Sequence, residues 1–156
     1  MYLLAALALD FSVIGVTVWF FFIQSPKMFS LLGRKRFVPV MMQLTKLFFN
    51  ATAPLVALGA VLSALQLRQL MHPAFLSSLI AATAAAINRG VVVPRALAAG
   101  RASVADYSRE EDSSAKRDFV VEGGSKTKTK TLHQTVVLFV LVQTGALASH
   151  AYFMIN

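Results

Sequence analysis

The chain has 156 residues, of which 56% are hydrophobic and 14% are charged, and its formal net charge is +8. A soluble domain has about 25% charged residues, so this composition indicates a membrane protein of one domain. The absence of cysteine excludes disulfides, thiolate metal sites, iron–sulfur clusters and cysteine nucleophiles.

Four stretches of the chain are long and apolar enough to cross a bilayer, which takes about 20 mainly apolar residues. They are residues 2–23, 47–67, 73–93 and 135–155. The first contains one charge, Asp10, the third contains Arg89, and the other two contain none.

The connections between these stretches are polar and basic. Residues 101–134 carry six of the seven acids and a KTKTKT tract, a composition that is typical of a solvated loop. Residues 37–49, FVPVMMQLTKLFF, are either an interfacial helix or an extension of the second span. The sequence therefore predicts an all-α, polytopic membrane protein, with four transmembrane helices in one compact bundle over residues 1–156.

Basic residues are distributed very unevenly between the two faces. Thirteen of the fifteen lie in the first and third connections, and one, Arg68, lies in the second. The positive-inside rule then places both basic connections in the cytoplasm or matrix and both termini on the opposite side. This rule also explains the net charge, so we expect no nucleic-acid partner.

Asp10 is the costliest polar residue within a span, because a charge in the bilayer is expensive and is a functional candidate by default. Counting 1.5 Å per residue, Asp10 lies about 13 Å deep and His150 about 8 Å deep from the same face. We therefore predict that Asp10 and His150 form an intramembrane polar pair. A structural hydrogen bond and a proton or substrate relay both remain open as its role.

A second set of polar residues falls near the basic face. It consists of Asn50, Asn88, Arg89 and His133. We predict that these residues form an inner-face polar cluster, with Asn88 bonded to Asn50 or Gln43. Arg89 can extend to lipid phosphate from this level.

No residue pattern predicts catalysis or a cofactor. The acids gather in one loop, and neither a Gly-rich phosphate motif nor HExxH occurs, so we expect that the protein is not an enzyme. A bis-His haem needs two facing histidines, whereas His72 falls in a turn before Pro73. We therefore expect no metal and no cofactor beyond bound phospholipid such as cardiolipin. The best headgroup site is Arg34, Lys35 and Arg36, since juxtamembrane cations favour anionic lipid; their other reading is topology determination alone.

The stretch INRGVVVPRALAA resembles the third-helix motif of the transmembrane protein 205-like family, a family of unknown biochemical function. The matching positions are Asn88, Pro94, Arg95, Ala98 and Ala99. Further matches are Trp19, Arg34, Phe37, Gln43, Lys46, Phe48 and His133. The family usually continues this histidine with Gly, where the chain has Gln134. The resemblance implies a four-helix membrane bundle, and family members are associated with export or drug resistance.

Two functions are consistent with these observations. The first is a non-catalytic accessory subunit of a mitochondrial inner-membrane complex, either respiratory-chain or ATP-synthase, with other subunits and lipids as partners. In that setting both termini lie in the intermembrane space and the basic loops lie in the matrix. The second is a small membrane transporter or exporter, in which buried polar residues would line a path. Small size, few reactive groups and helix faces rich in small residues favour the first.

Overall fold

The computed structural model describes residues 2–67, 71–101 and 124–156, and it does not place the side chains of residues 33–35 and 124–130. The elements are α1 (Tyr2–Val18), π1 (Trp19–Gln24), α2 (Ser25–Leu67), α3 (Pro73–Ile87), π2 (Asn88–Val92) and α4 (Gly124–Ile155). Residues 93–101 are also helical, so α3, π2 and residues 93–101 form one continuous helical rod, called the third rod below. Every element in these ranges is helical, and four helical rods are long and apolar enough to cross a membrane. The chain is thus an all-α, multi-pass membrane protein.

The first connection is a tight reversal and not the predicted loop. Helical backbone runs through residues 25–67, yet the rings of Phe20 and Phe48 stack with centroids 4.7 Å apart. In a straight helix, residues 28 positions apart are separated by about 42 Å. Phe29 and Phe37 also meet edge to face at 5.1 Å. The chain therefore turns back between Phe29 and Phe37, where the first two spans are joined.

The four rods form a ring in which consecutive helices are neighbours. α1 packs on α2, α2 on α3, and α3 on α4, and α4 closes the ring against α1. This is the up-down-up-down arrangement of a four-helix bundle. Residues 33–35, Arg101 and Gly124 mark one end, called the basic end below. Tyr2, Pro73 and Ile155 mark the other, called the terminal end.

Buried positions recur every four and three residues, which is the spacing of coiled-coil-like packing. In α1 they are Ala6, Asp10, Val13 and Thr17, followed in π1 by Phe20. In α4 they are Val136, Val140, Gln143, Leu147 and His150. Each rod thus presents one narrow stripe to the bundle axis, and polar residues occupy several positions of that stripe.

Both π segments arise next to a proline. Pro26 and Pro94 each follow a π segment by two residues, and a proline ring crowds the carbonyl four residues before it. Those carbonyls belong to Phe22 and Gly90, which lie within π1 and π2. The wider π turn makes room for the ring. The third helix is therefore loosened at Gly90 and Pro94 but does not end there.

Each π segment also moves the buried stripe by one residue. In the third rod, Asn88 and Val92 are buried four residues apart, so an uninterrupted stripe would bury Arg95, three residues later. Arg95 is exposed instead, and burial resumes at Val93 and Gly100. A single inserted residue has this effect because it turns the rest of the helix by about 100°.

The helices are longer than the predicted spans 2–23, 47–67, 73–93 and 135–155. Within the described side chains, the apolar helices cover Tyr2–Leu32, Arg36–Leu67, Pro73–Arg101 and Thr131–Ile155. Residues 37–49 extend the second span, and residues 124–134 of the predicted loop 101–134 belong to α4; residues 102–123 lie outside the described ranges. Lys, Arg, Gln and Met are good helix formers, so a helix does not have to end at the membrane surface. Rods of about 30 residues measure about 45 Å, against a hydrocarbon core of about 30 Å.

Large apolar side chains cover the outside of the bundle. Only 28–39% of the most apolar stretch of each span is buried. Leu4, Phe22 and Leu138 are each more than half exposed. A water-soluble protein rarely exposes such a continuous apolar surface, so this surface is suited to lipid tails or to other membrane helices.

Candidate functional site

Asp10 and His150 meet inside the bundle near the terminal end. His150 Nδ1 lies 2.5 Å from Asp10 Oδ2, and the two residues are 0% and 2% exposed respectively. They occupy stripe positions of α1 and α4, which pack side by side. The contact predicted from their depths is present. A carboxyl group at this depth is tolerable because it has a partner.

Ser63 completes a cluster of three side chains. Its Oγ lies 2.7 Å from His150 Nε2, and Ser63 is fully buried. Ser63 belongs to α2, which stands diagonally across the bundle from α4, so the imidazole bridges the axis. Gly59 lies beside this polar cluster; a Cβ added there would be 3.8 Å from Asp10 Oδ1.

The hydrogen bond from Ser63 to its own helix favours one arrangement of the protons in the polar cluster. The Ser63 hydroxyl donates to the Gly59 carbonyl at 2.8 Å, one turn earlier in α2. A hydroxyl has one proton, so the imidazole Nε2–H then donates to Ser63 Oγ. One further proton lies between Nδ1 and the Asp10 carboxyl group. The polar cluster is then neutral as a whole, whichever of these two atoms holds that proton.

Asp, His and Ser in this order are also the residues of a hydrolytic triad. Hydrolysis needs two more features, an open approach to the serine and N–H donors for the oxyanion. Ser63 is fully buried, and it lies within α2, where backbone N–H groups are used in helical hydrogen bonds. The described geometry therefore suits a structural link between three helices better than acyl transfer.

Two buried amide side chains lie elsewhere along the axis. Asn88 Nδ2 donates to the Val136 carbonyl at 3.4 Å, while the Asn88 Oδ1 atom has no partner in the described structure. Gln143 Oε1 is likewise buried without a described partner. Gln143 lies one heptad before His150 on the same stripe of α4. Asn88, Gln143 and the polar cluster thus form a discontinuous file of polar groups through the core.

The predicted inner-face cluster of Asn50, Asn88, Arg89 and His133 does not form one site. Arg89 Nε donates to Asn50 Oδ1 at 3.1 Å on the exposed surface, and His133 is exposed. Asn88 bonds to α4 and not to Asn50 or Gln43. Neighbouring helical residues point about 100° apart, so Asn88 faces the axis while Arg89 faces outward.

The predicted headgroup cluster Arg34, Lys35 and Arg36 falls at the reversal between the first two spans. Arg36 is exposed, and the side chains of Arg34 and Lys35 lie outside the described ones. Among the described residues, no group of three or more His, Asp or Glu side chains is arranged to hold a metal ion.

Ser63 is the member of the polar cluster that sequence reasoning missed. Its sequence context, Gly59-xxx-Ser63, indicates only a small residue that is suited to close helix packing. The spacing of Phe49, Val56 and Ser63 by seven residues carries the missing signal, because it places Ser63 on the buried stripe of α2.

Comparison with known proteins gives one match. A family model described as a domain of unknown function, DUF4149, matches residues 11–103. No curated protein and no solved structure matches the chain significantly. The matched segment includes Ser63 and the Arg89–Asn50 contact, and it excludes Asp10 and His150.

Proposed function

The chain belongs to the DUF4149 family, and we propose that it is a non-catalytic structural subunit of a larger membrane protein complex. The supporting observation is that the side chains of the polar cluster are buried, whereas the outer faces of the helices consist of large apolar side chains. Asp10, His150 and Ser63 are used to link α1, α4 and α2. No reactive group of the polar cluster is left exposed for a substrate.

The exposed apolar faces support contacts with other subunits. Phe11 and Phe22 lie on the outer side of the first rod, and Leu141 and Tyr152 on the outer side of α4. Helices in lipid associate through close van der Waals packing, because the hydrophobic effect does not drive association between helices that are already in an apolar solvent. Broad faces of this kind offer the shape and area for such packing, and lipid covers what partners leave free.

The proposed setting is the mitochondrial inner membrane, in a respiratory-chain or ATP-synthase assembly. The concentration of basic residues at the basic end supports a matrix location for that end. The termini then lie in the intermembrane space. Anionic lipid such as cardiolipin would contact Arg34, Lys35 and Arg36 at the reversal.

The proposal is tested by native electrophoresis of mildly solubilised membranes, followed by mass spectrometry of the band that holds the tagged chain. We expect migration with a large assembly and co-purification of its subunits. The variant Asp10→Asn keeps a hydrogen-bond acceptor for His150, so it should stay in the assembly. Migration of the unaltered chain as a free monomer or dimer would contradict the proposal.

A second candidate is a small transporter or exporter of the transmembrane protein 205-like family. The observation in its favour is the file of buried polar groups, in which the Asn88 and Gln143 oxygens lack described partners. Unpartnered buried oxygens can receive water or a passing polar solute. Proton or solute flux into liposomes that contain the purified chain, lost in Gln143→Leu, would favour this candidate over the first.

A further inference from the structure

A groove separates α2 from the third rod on the outside of the bundle. Its volume is about 820 Å³. Residues of both rods line it, from Lys46 to Ala57 on α2 and from Ala82 to Arg101 on the third rod. It is open toward the surrounding membrane, and it lies apart from the polar cluster.

Small side chains give the groove its room. Ala53, Ala57, Ala82, Ala86 and Ala98 lie along its walls. Pro54, Pro94 and Leu97 form its apolar floor, above Phe49 and Val93, which are buried in the core at the basic end. The groove runs about 16 Å along α2, from Ala57 to Lys46, and about 28 Å along the third rod, from Ala82 to Arg101. Both lengths reach the half-thickness of the hydrocarbon core, about 15 Å, so the groove is long enough for one acyl chain.

Cations lie along the groove from near its middle, at Arg89, to the basic end, at Arg101. Lys46, Arg89 and Arg101 all line it, and no carboxylate is among the described lining residues. Arg89 is fixed in position by its hydrogen bond to Asn50, which also lines the groove. Arg101 lies at the mouth, since its neighbour Gly100 lies against Met42 of α2, beyond Lys46.

We propose that this groove binds one anionic phospholipid from the leaflet at the basic end. Its phosphate would lie between Lys46 and Arg101, and the Arg89–Asn50 pair would meet the glycerol ester region. One acyl chain would lie on Pro54, Pro94 and Leu97 between the alanines. The headgroup charge matches the three cations, and the apolar floor matches the chain.

Alternative occupants fit this surface less well. A soluble anion would leave the apolar floor uncovered. A partner helix would have to bring acids to meet three cations within the membrane, where acids are rare and costly. A phospholipid supplies both the charge and the apolar length, and it is present in any membrane. This site differs from the Arg34–Lys35–Arg36 cluster, and it does not depend on the proposed function.

The experiment uses the full chain in vesicles of phosphatidylglycerol diluted in phosphatidylcholine, followed by gentle detergent release and native mass spectrometry. We expect the unaltered chain to retain one phosphatidylglycerol in preference to phosphatidylcholine. The variant Lys46→Gln/Arg101→Gln should reduce that preference by about fivefold per cation removed, which is the typical contribution of one cation near an anionic surface. Ala86→Phe should reduce retention of the lipid while leaving all charges in place.

The matched control is Lys27→Gln/Arg95→Gln, which removes two exposed cations toward the same end outside the groove. We expect it to retain phosphatidylglycerol as the unaltered chain does. An equal loss in the control would overturn the proposal in favour of general surface attraction. Equal retention of both lipids by the unaltered chain would also overturn it. So would a groove variant that keeps its lipid but loses a co-purifying subunit, because the groove would then be a protein interface.

Discussion

At the terminal end of the bundle the core consists of small residues around the polar cluster, whereas at the basic end it consists of aromatic rings and valines. Ala6, Ala74 and Ala151 are buried at the terminal end, and there the helices are linked by hydrogen bonds. At the basic end Phe20 stacks on Phe48, and Phe49 meets Phe48 edge to face. The stability of the terminal end depends on paired hydrogen-bonding groups, and that of the basic end depends on close packing of large side chains. The two ends should therefore respond to different substitutions.

Removing one partner of the buried pair should have the largest effect. Asp10→Ala leaves His150 without its partner at a fully buried position, and we expect the free energy of unfolding to fall by about 3–5 kcal/mol. Reversible unfolding in mixed micelles measures this loss. Ser12→Ala is the control, because it removes a hydroxyl on the exposed side of the same helix and should change little.

The double variant Asp10→Leu/His150→Leu tests whether the pair adds to the stability of the fold or only offsets the cost of burying its two polar side chains. Replacing a buried ion pair by apolar residues is often neutral, so we expect it to recover most of that loss. A double variant as unstable as Asp10→Ala would show that the bundle depends on the pair itself.

Truncating an aromatic ring at the basic end should have the next largest effect. Phe49 is 1% exposed, and Phe49→Ala should destabilise the protein by about 3 kcal/mol, because it removes buried contacts and leaves a cavity. Phe22→Ala removes an outward-facing ring, which is 69% exposed, and serves as the control in the same unfolding assay. Equal losses in both variants would mean that this core is not closely packed.

Removing the third member of the polar cluster should have a smaller effect. Ser63→Ala takes away the oxygen that His150 Nε2 meets, and we expect a loss of about 1–2 kcal/mol. Ser149→Ala removes an exposed hydroxyl that bonds only its own helix, so it is the matched control. A change no larger than the control's would show that Asp10 alone satisfies the imidazole.

The smallest expected effect has the opposite sign. Gln143 is buried with an unpartnered oxygen, so Gln143→Leu should stabilise the protein by about 1 kcal/mol. The same unfolding assay measures it, with Val142→Leu on the outer face as the control. A clear destabilisation would mean that water or a solute occupies this part of the core, as the transporter candidate requires.

The sequence was sufficient for the number of spans and for the Asp10–His150 contact. Both follow from hydropathy and from depth counted along a helix, which are properties of one rod at a time. The match of Ser63 to His150 depends on which two helices face each other across the axis. Which helices face each other is determined by packing between rods, so it cannot be predicted from the sequence of a single segment.

The positions of the helix ends and the residues that line the groove could not be predicted from the hydropathy of single segments. Lys27, Arg36 and Lys46 interrupt the apolar sequence, so the predicted spans 2–23 and 47–67 leave them out. The backbone continues because these residues are good helix formers. The cations of the groove, Lys46 and Arg101, are 55 positions apart, and they come together only because α2 and the third rod are antiparallel neighbours.

The π segments make the molecule tolerant of change in one particular way. A π turn is an α-helix that holds one additional residue, so deleting Val91 would restore an ordinary helix in its place. The part of the rod up to Asn88 would keep its orientation, while the part beyond would rotate by about 100°. Gly100 would then leave Met42, and a bulkier surface would face α2. A one-residue deletion would thus alter the groove and leave the polar cluster unchanged. Mutation can therefore change one end of the bundle without changing the other.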